Sequence, residues 1–295
     1  MKETYTPNIE IPLIDKMHNK ALESINENKI NIEDFRDTYS DVENDINKTK
    51  ARMEKWDRES TEKEKEMKKY ATILEAITNE FISKGWLGKD VKAKHTADPD
   101  DLNGVDIVSE FTKEDPRQYL GLGIDATFAK DLKGKFRGIK AGIVRGKLAS
   151  VKYYKTEDGQ AGLSNIPNVV VGVELKTIKE LGEAWVNNDE DYIKNHHIQF
   201  QIIDQILMQL DKFNKYSTVL EREEIAEKFK ATYDLVERIK KDKIESGRYL
   251  NHSKRDLMHS RIEEELDDFL KDVKRTSKQK LTGYSTNDLA ARFNN

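Results

Sequence analysis

The sequence predicts an α/β fold: a mixed four-stranded sheet flanked by helices, with long helical extensions at the N- and C-terminal ends. Three observations predict it. Residues 105–175 hold short apolar runs rich in Val, Ile, Leu and Tyr, separated by turn signals and one helical stretch. Residues 70–81 carry apolar side chains three and four apart, the spacing of a helix face. Beyond Ile198 nearly everything repeats with that same helical spacing.

Composition narrows the class. Of 295 residues, 36% are hydrophobic and 36% charged, so much of the length must be solvated helix surface. No run approaches the ~18 apolar residues that a membrane span needs. The opening MKETYTPNIEIPLIDK lacks the apolar core of a secretion signal. There is no cysteine, which excludes disulfides and thiolate zinc sites and fits a cytoplasmic protein. Net charge is −4, so contact with nucleic acid requires a local basic patch.

The elements follow in order. Residues 1–61 form a charged helical N-terminal extension, with a helix starting near Ser40 or Asp41. Residues 62–186 form the α/β core. It opens with a helix whose Tyr70, Ile73, Leu74, Ile77 and Phe81 share one face and which Gly85 ends. GWLGKD and KHTADPDDLNG read as loop. VDIVSEF and YLGLGIDATF are strands, and Lys130 to Lys147 is a helix. LASVKYYK is a third strand. IPNVVVGVEL is a fourth, its Val run pointing to burial on both faces. A helix starts at Thr177. Residues 187–274 form a C-terminal helical region, and residues 275–295, rich in Ser, Thr, Lys and Asn, a flexible tail.

Two of these strands carry an acid inside an apolar run: Asp106 in NGVDIV and Asp125 in GIDAT. The next strand carries Lys152 in SVKYY. An acid in such a setting is costly without a partner. Two carboxylates on neighbouring strands can hold Mg²⁺ or Mn²⁺ with waters left on the ion. A lysine beside them adds positive charge where a phosphodiester is attacked. Between these strands lies a basic run of Lys130, Lys133, Lys135, Arg137 and Lys140 that can follow phosphates. An Asp125–Lys152 ion pair is the plain structural alternative.

The order helix, strand with Asp106, strand with Asp125, helix, strand resembles the PD-(D/E)XK nuclease superfamily, whose fold is restriction-endonuclease-like. The resemblance covers residues 62–186. It implies a metal-dependent nuclease with Asp106 as the motif aspartate and Asp125 as the acid of the acid-x-lysine motif. The third motif position is Thr127 rather than lysine. Lys152 then takes the lysine's role from another element, with Lys130 behind it. The first helix of the superfamily often supplies a glutamate. At 100° per residue Glu80 lies about 80° from the centre of the apolar face and Glu75 about 140° away, which favours Glu80 as third ligand and leaves Glu75 in solvent. Glu174-Leu-Lys176 also spells acid-x-lysine. His95 is a loop histidine of a kind that some nucleases of this fold use as a ligand. His196 and His197 are adjacent, so their side chains are expected to diverge. The glycines of GLG at 121–123 lack a phosphate-loop context.

The expected function is therefore hydrolysis of nucleic acid, DNA ahead of RNA, with catalytic Asp106, Asp125 and Lys152 and metal ligands Glu80, Asp106 and Asp125. The alternative is an inactive nuclease-fold scaffold, joined to a second copy or a partner through its C-terminal helices. No membrane partner is expected.

Overall fold

A computed structural model of the protein describes residues 12–101, 103–114, 117–125, 132–156, 159–246 and 255–281; at 125, 268, 270 and 272–281 the description is of the backbone alone. Helix α1 spans Leu13–Asn28, followed by a short 3₁₀ turn at Ile32–Phe35. Helix α2 is Val42–Glu59 and α3 is Glu62–Phe81. Between them Thr61 and Glu64 cap each other's backbone N–H groups, which splits the charged stretch into two helices. Gly85, at φ +112°, stops the turn after α3 where a side chain would be strained. Then come β1 (Val91–His95), α4 (Asp98–Asp101), β2 (Ile107–Phe111), β3 (Gln118–Asp125) and α5 (Leu132–Arg145). Strands β4 (Ala149–Lys155), β5 (Ala161–Ile166) and β6 (Asn168–Gly172) follow. Helices α6 (Leu175–Val186), α7 (Glu190–Asn195), α8 (Ile198–Val219), α9 (Glu223–Glu245) and α10 (Leu257–Leu281) complete the chain.

The main sheet has four strands in the order β1-β2-β3-β6. The first two pairings are antiparallel and β3–β6 is parallel, so the sheet is mixed. Its membership departs from the sequence reading. VKAKH, whose Lys94 and His95 are expected as loop, is the edge strand β1. LASVKYYK, expected in the sheet, is β4, which pairs with β5 in a separate two-stranded hairpin. The hairpin packs on the sheet through Val151, Tyr154, Leu163 and Ile166 against Val105 and Val108. Helix α1, expected only as charged extension, is held in the core by Met17 and Ala21.

The opposite side of the sheet rests on α3, whose Ile73, Leu74 and Ile77 are fully buried. Each such side chain stabilises by about 1.5–3 kcal/mol on leaving water. The same core continues without a break through α6 into α8, α9 and α10, where Phe213 touches Phe136, Phe229 and Phe269. Helix α10 runs past the expected boundary at residue 274 to Leu281. The glycines of β3 serve close packing: a Cβ on Gly123 would sit 3.1 Å from the Gly104 carbonyl oxygen, and one on Gly121 3.2 Å from Val105. That approach brings the segment ahead of β2, and with it Asp106, against the end of β3.

Candidate functional site

Asp106 enters the site by backbone hydrogen bonds on both sides. Its N–H donates to the Leu122 carbonyl (2.9 Å), and its C=O accepts from the Thr96 N–H (3.1 Å). Its carboxylate accepts the Ile124 N–H. The residue is 9% exposed. The Asp101 carboxyl, at the end of α4, lies within hydrogen-bonding reach, and Glu75 of α3 is close enough to add its field. Burial first, then Asp101, pushes the Asp106 carboxyl well above the usual carboxylate range, while Lys135 pulls the other way. Two carboxyls in hydrogen-bonding reach share one proton or need a cation.

Lys135 reaches the same place from α5. Its Nζ donates to the Ile124 carbonyl (2.6 Å), one residue before Asp125. The Asp125 backbone pairs with Gly172 in the parallel β3–β6 register; its side chain lies outside the described part of the structure. Thr127 and Lys130 also lie outside the described residues.

His95 closes β1 and pairs in register with Ile107, the residue after Asp106. It is 1% exposed, and its Nδ1 is 3.0 Å from the Glu75 Oε1. A carboxylate can only accept, so Nδ1 donates in this bond, and the far nitrogen of the ring is Nε2. That Nε2 is buried and has no hydrogen-bond partner. A carboxylate orienting an imidazole whose far nitrogen is unfilled is how proteins prepare a histidine for a metal.

Two expected members are placed elsewhere. Both Glu80 oxygens are occupied, Oε1 by Lys84 (2.7 Å) and Oε2 by the Trp185 indole N–H (3.0 Å). The physical reason is that α3 is packed by α1 and α6 as well as by the sheet. The centre of its apolar face therefore does not point at the sheet, and Glu75, expected in solvent, does. Lys152 leaves the site because β4 leaves the sheet. Its Nζ bonds Asp41 (2.7 Å) and Asp45 (2.8 Å), beside the rings of Tyr39 and Tyr153. Burial pulls the Lys152 ammonium down, but Asp41 and Asp45 outweigh it and hold it above its ordinary value. Its backbone N–H and that of Tyr153 go to the Asp100 carboxylate.

The basic run divides by helical position. Lys133 and Arg137 are exposed, Lys135 turns to Ile124, and Lys140 lies over Tyr216 and Phe269. Glu174 precedes α6 and Lys176 lies within it, so that acid-x-lysine is not on a strand. His196 and His197 do not diverge; their rings are 4.3 Å apart.

Among the described residues no three His, Asp or Glu side chains are grouped closely enough to hold a metal ion. No known protein family, curated protein or solved structure matches the chain. The mixed α/β architecture and the Asp106 cluster therefore stand on their own geometry.

Proposed function

We propose that the protein is a metal-dependent nuclease, with DNA as the first substrate to test. The observation that carries this reading is the crowding around Asp106: a second carboxyl in hydrogen-bonding reach, Glu75 nearby, and Lys135 anchored one residue from Asp125. In this reading Asp106 and Asp125 hold Mg²⁺ or Mn²⁺, and Lys135 takes the lysine's role that the sequence assigned to Lys152. By donor type, carboxylate oxygens suit Mg²⁺ and Mn²⁺. When bound, the ion would neutralise charge on the scissile phosphate and acidify water. The chain's own groups have plainer tasks. Asp106, tied to the Ile124 N–H, is held in place for the ion. Lys135, held on a carbonyl at the end of β3, puts a fixed cation beside the phosphate.

The test is incubation with labelled single- and double-stranded DNA and RNA in Mg²⁺, Mn²⁺ and EDTA. Cleavage that needs the ion and disappears in Asp106→Asn and Asp125→Asn is expected. A competing reading is a scaffold in which Asp101 and Asp106 share a proton permanently, favoured by the bond that Ile124 already makes to Asp106. Absence of ion-dependent cleavage on all four substrates would leave that scaffold.

A further inference from the structure

Helix α2 outruns the body it packs on. Its first half is held: Val42 and Thr49 are buried, and Val42 and Ile46 belong to a small cluster with Phe35, Ala97 and Tyr153. The same stripe continues at helical spacing to Met53 and Trp56. There it leaves the core. Every residue from 51 to 59 is exposed, Met53 by 50% and Trp56 by 44%.

Single exposed apolar side chains are ordinary. The charge around this one is not. Over the exposed turns, residues 51–59, Arg52, Lys55 and Arg58 balance Glu54, Asp57 and Glu59 in number, but the signs are not evenly placed. At 100° per residue Arg52, Lys48 and Lys55 fall within about 100° of Trp56 on one flank. Glu59 shares that flank, 4.0 Å from Lys55.

We propose that the protruding half of α2 binds single-stranded nucleic acid, with one base stacked on Trp56 and the phosphates following Arg52, Lys48 and Lys55. An aromatic face flanked by cations suits an unpaired base, whose own face is free. A second copy of the chain fits less well. Met53 and Trp56 amount to about one turn of seam, against the roughly 800 Å² per partner of a stable interface. Self-pairing would also bring the Lys48, Arg52 and Lys55 flanks of two copies together. The held first half of α2 packs beside α4, which carries Asp101, so a strand followed from Trp56 through Arg52 to Lys48 runs toward the candidate site. Only that last link rests on the nuclease reading; the binding stands apart from it.

The test uses the full chain in EDTA, so that cleavage plays no part. Of the three tryptophans, Trp86 and Trp185 are 1% and 2% exposed, so a ligand on the surface reaches only Trp56. Titration with an oligothymidylate should quench tryptophan emission saturably. Trp56→Ala should weaken binding of a labelled oligonucleotide on the order of tenfold, and Trp56→Phe should restore most of it. Arg52→Glu with Lys55→Glu should lower the salt slope by about 1.4. Emission untouched by oligonucleotide at low salt overturns the proposal, and that result needs no variant. Emission that shifts with protein concentration alone gives the face to a second copy and also overturns it. Quenching in a protein that never cleaves keeps this inference and removes the nuclease reading; cleavage without quenching does the reverse.

Discussion

Asp106 gives the molecule a pH signature. In an unfolded chain its carboxyl titrates near 4. Folding buries it beside Asp101 and raises that value well above the ordinary one. The folded state therefore favours the protonated form. This group's contribution to stability is complete below about pH 4 and is lost as pH rises through the folded value. Thermal unfolding should show a melting temperature that falls as pH is raised from about 4 toward neutrality. Asp106→Asn, which keeps the shape without the charge, should flatten that fall. Mn²⁺ should raise the melting temperature of the wild type at the upper pH and little at the lower, because a cation replaces the shared proton. Equal slopes in wild type and Asp106→Asn would mean that the crowding has no energetic consequence. The two lysines separate at this scale as well. Lys135→Ala should cut cleavage on the order of 10²-fold for loss of one fixed charge, with melting little changed. Lys152→Ala should do the opposite. It leaves Asp41 and Asp45 facing each other without their cation, a loss of about 1–2 kcal/mol for a pair only partly shielded from water. Cleavage lost with Lys152 and kept without Lys135 would reverse the assignment.

At the scale of elements, the strand edges are closed by side chains and by neighbouring chain. Beyond β1, the Ile30 N–H donates to the His95 carbonyl (3.1 Å) and the Ala93 N–H to the Ser83 hydroxyl (2.9 Å). On β4, Asp100 accepts two successive N–H groups. On β6, two glutamines of α8 stand in for a missing strand. Gln209 accepts the Val170 N–H (2.8 Å) and donates to its carbonyl (2.7 Å), and Gln205 does the same for Gly172 (3.0 and 2.8 Å). Gln209→Leu keeps the volume but leaves both buried Val170 groups unpaired. It should cost about 2–4 kcal/mol in a denaturant melt. A change below about 0.5 kcal/mol would mean that water replaces the amide. The same elements show what a sequence can carry. β2, β3 and β6 are apolar runs bounded by turns, and they were legible, as were the acids set inside two of them. β1 was not, because VKAKH is short and its alternate residues are lysines. The partner of β4 was not, because β5 is AGLSNI, weak in strand formers and recruited by packing on Val105 and Val108. Glu75 was hidden for another reason. Which side of a helix meets a sheet depends on everything packed around that helix, and α1, whose contribution turns α3, looked like charged extension.

Over the whole molecule the charge is uneven. The chain is acidic overall, yet the exposed side of α5 presents Lys133 and Arg137 one turn apart. Gly134 and Gly138 stand exposed beside them, and a Cβ on Gly138 would meet nothing within 4 Å, so this side of the helix is smooth and open. The same helix sends Lys135 to Ile124 at the end of β3. At 100° per residue Lys135 lies about 160° from both Lys133 and Arg137, so a nucleic-acid backbone on the exposed side would meet α5 across the helix from Asp106. Each phosphate neutralised by a cation releases condensed counterions, so contacts can be counted from the salt dependence of binding. Lys133→Glu with Arg137→Glu should weaken duplex binding and lower the slope of log K against log salt by about two units. Lys140→Glu should add little to that loss, because its ammonium already lies over Tyr216 and Phe269. Both positions of the double variant are exposed, so its melting should stay within about 0.5 kcal/mol of wild type. An unchanged slope with a stable protein would make this run a solvated helix face and move the search for a duplex path off α5.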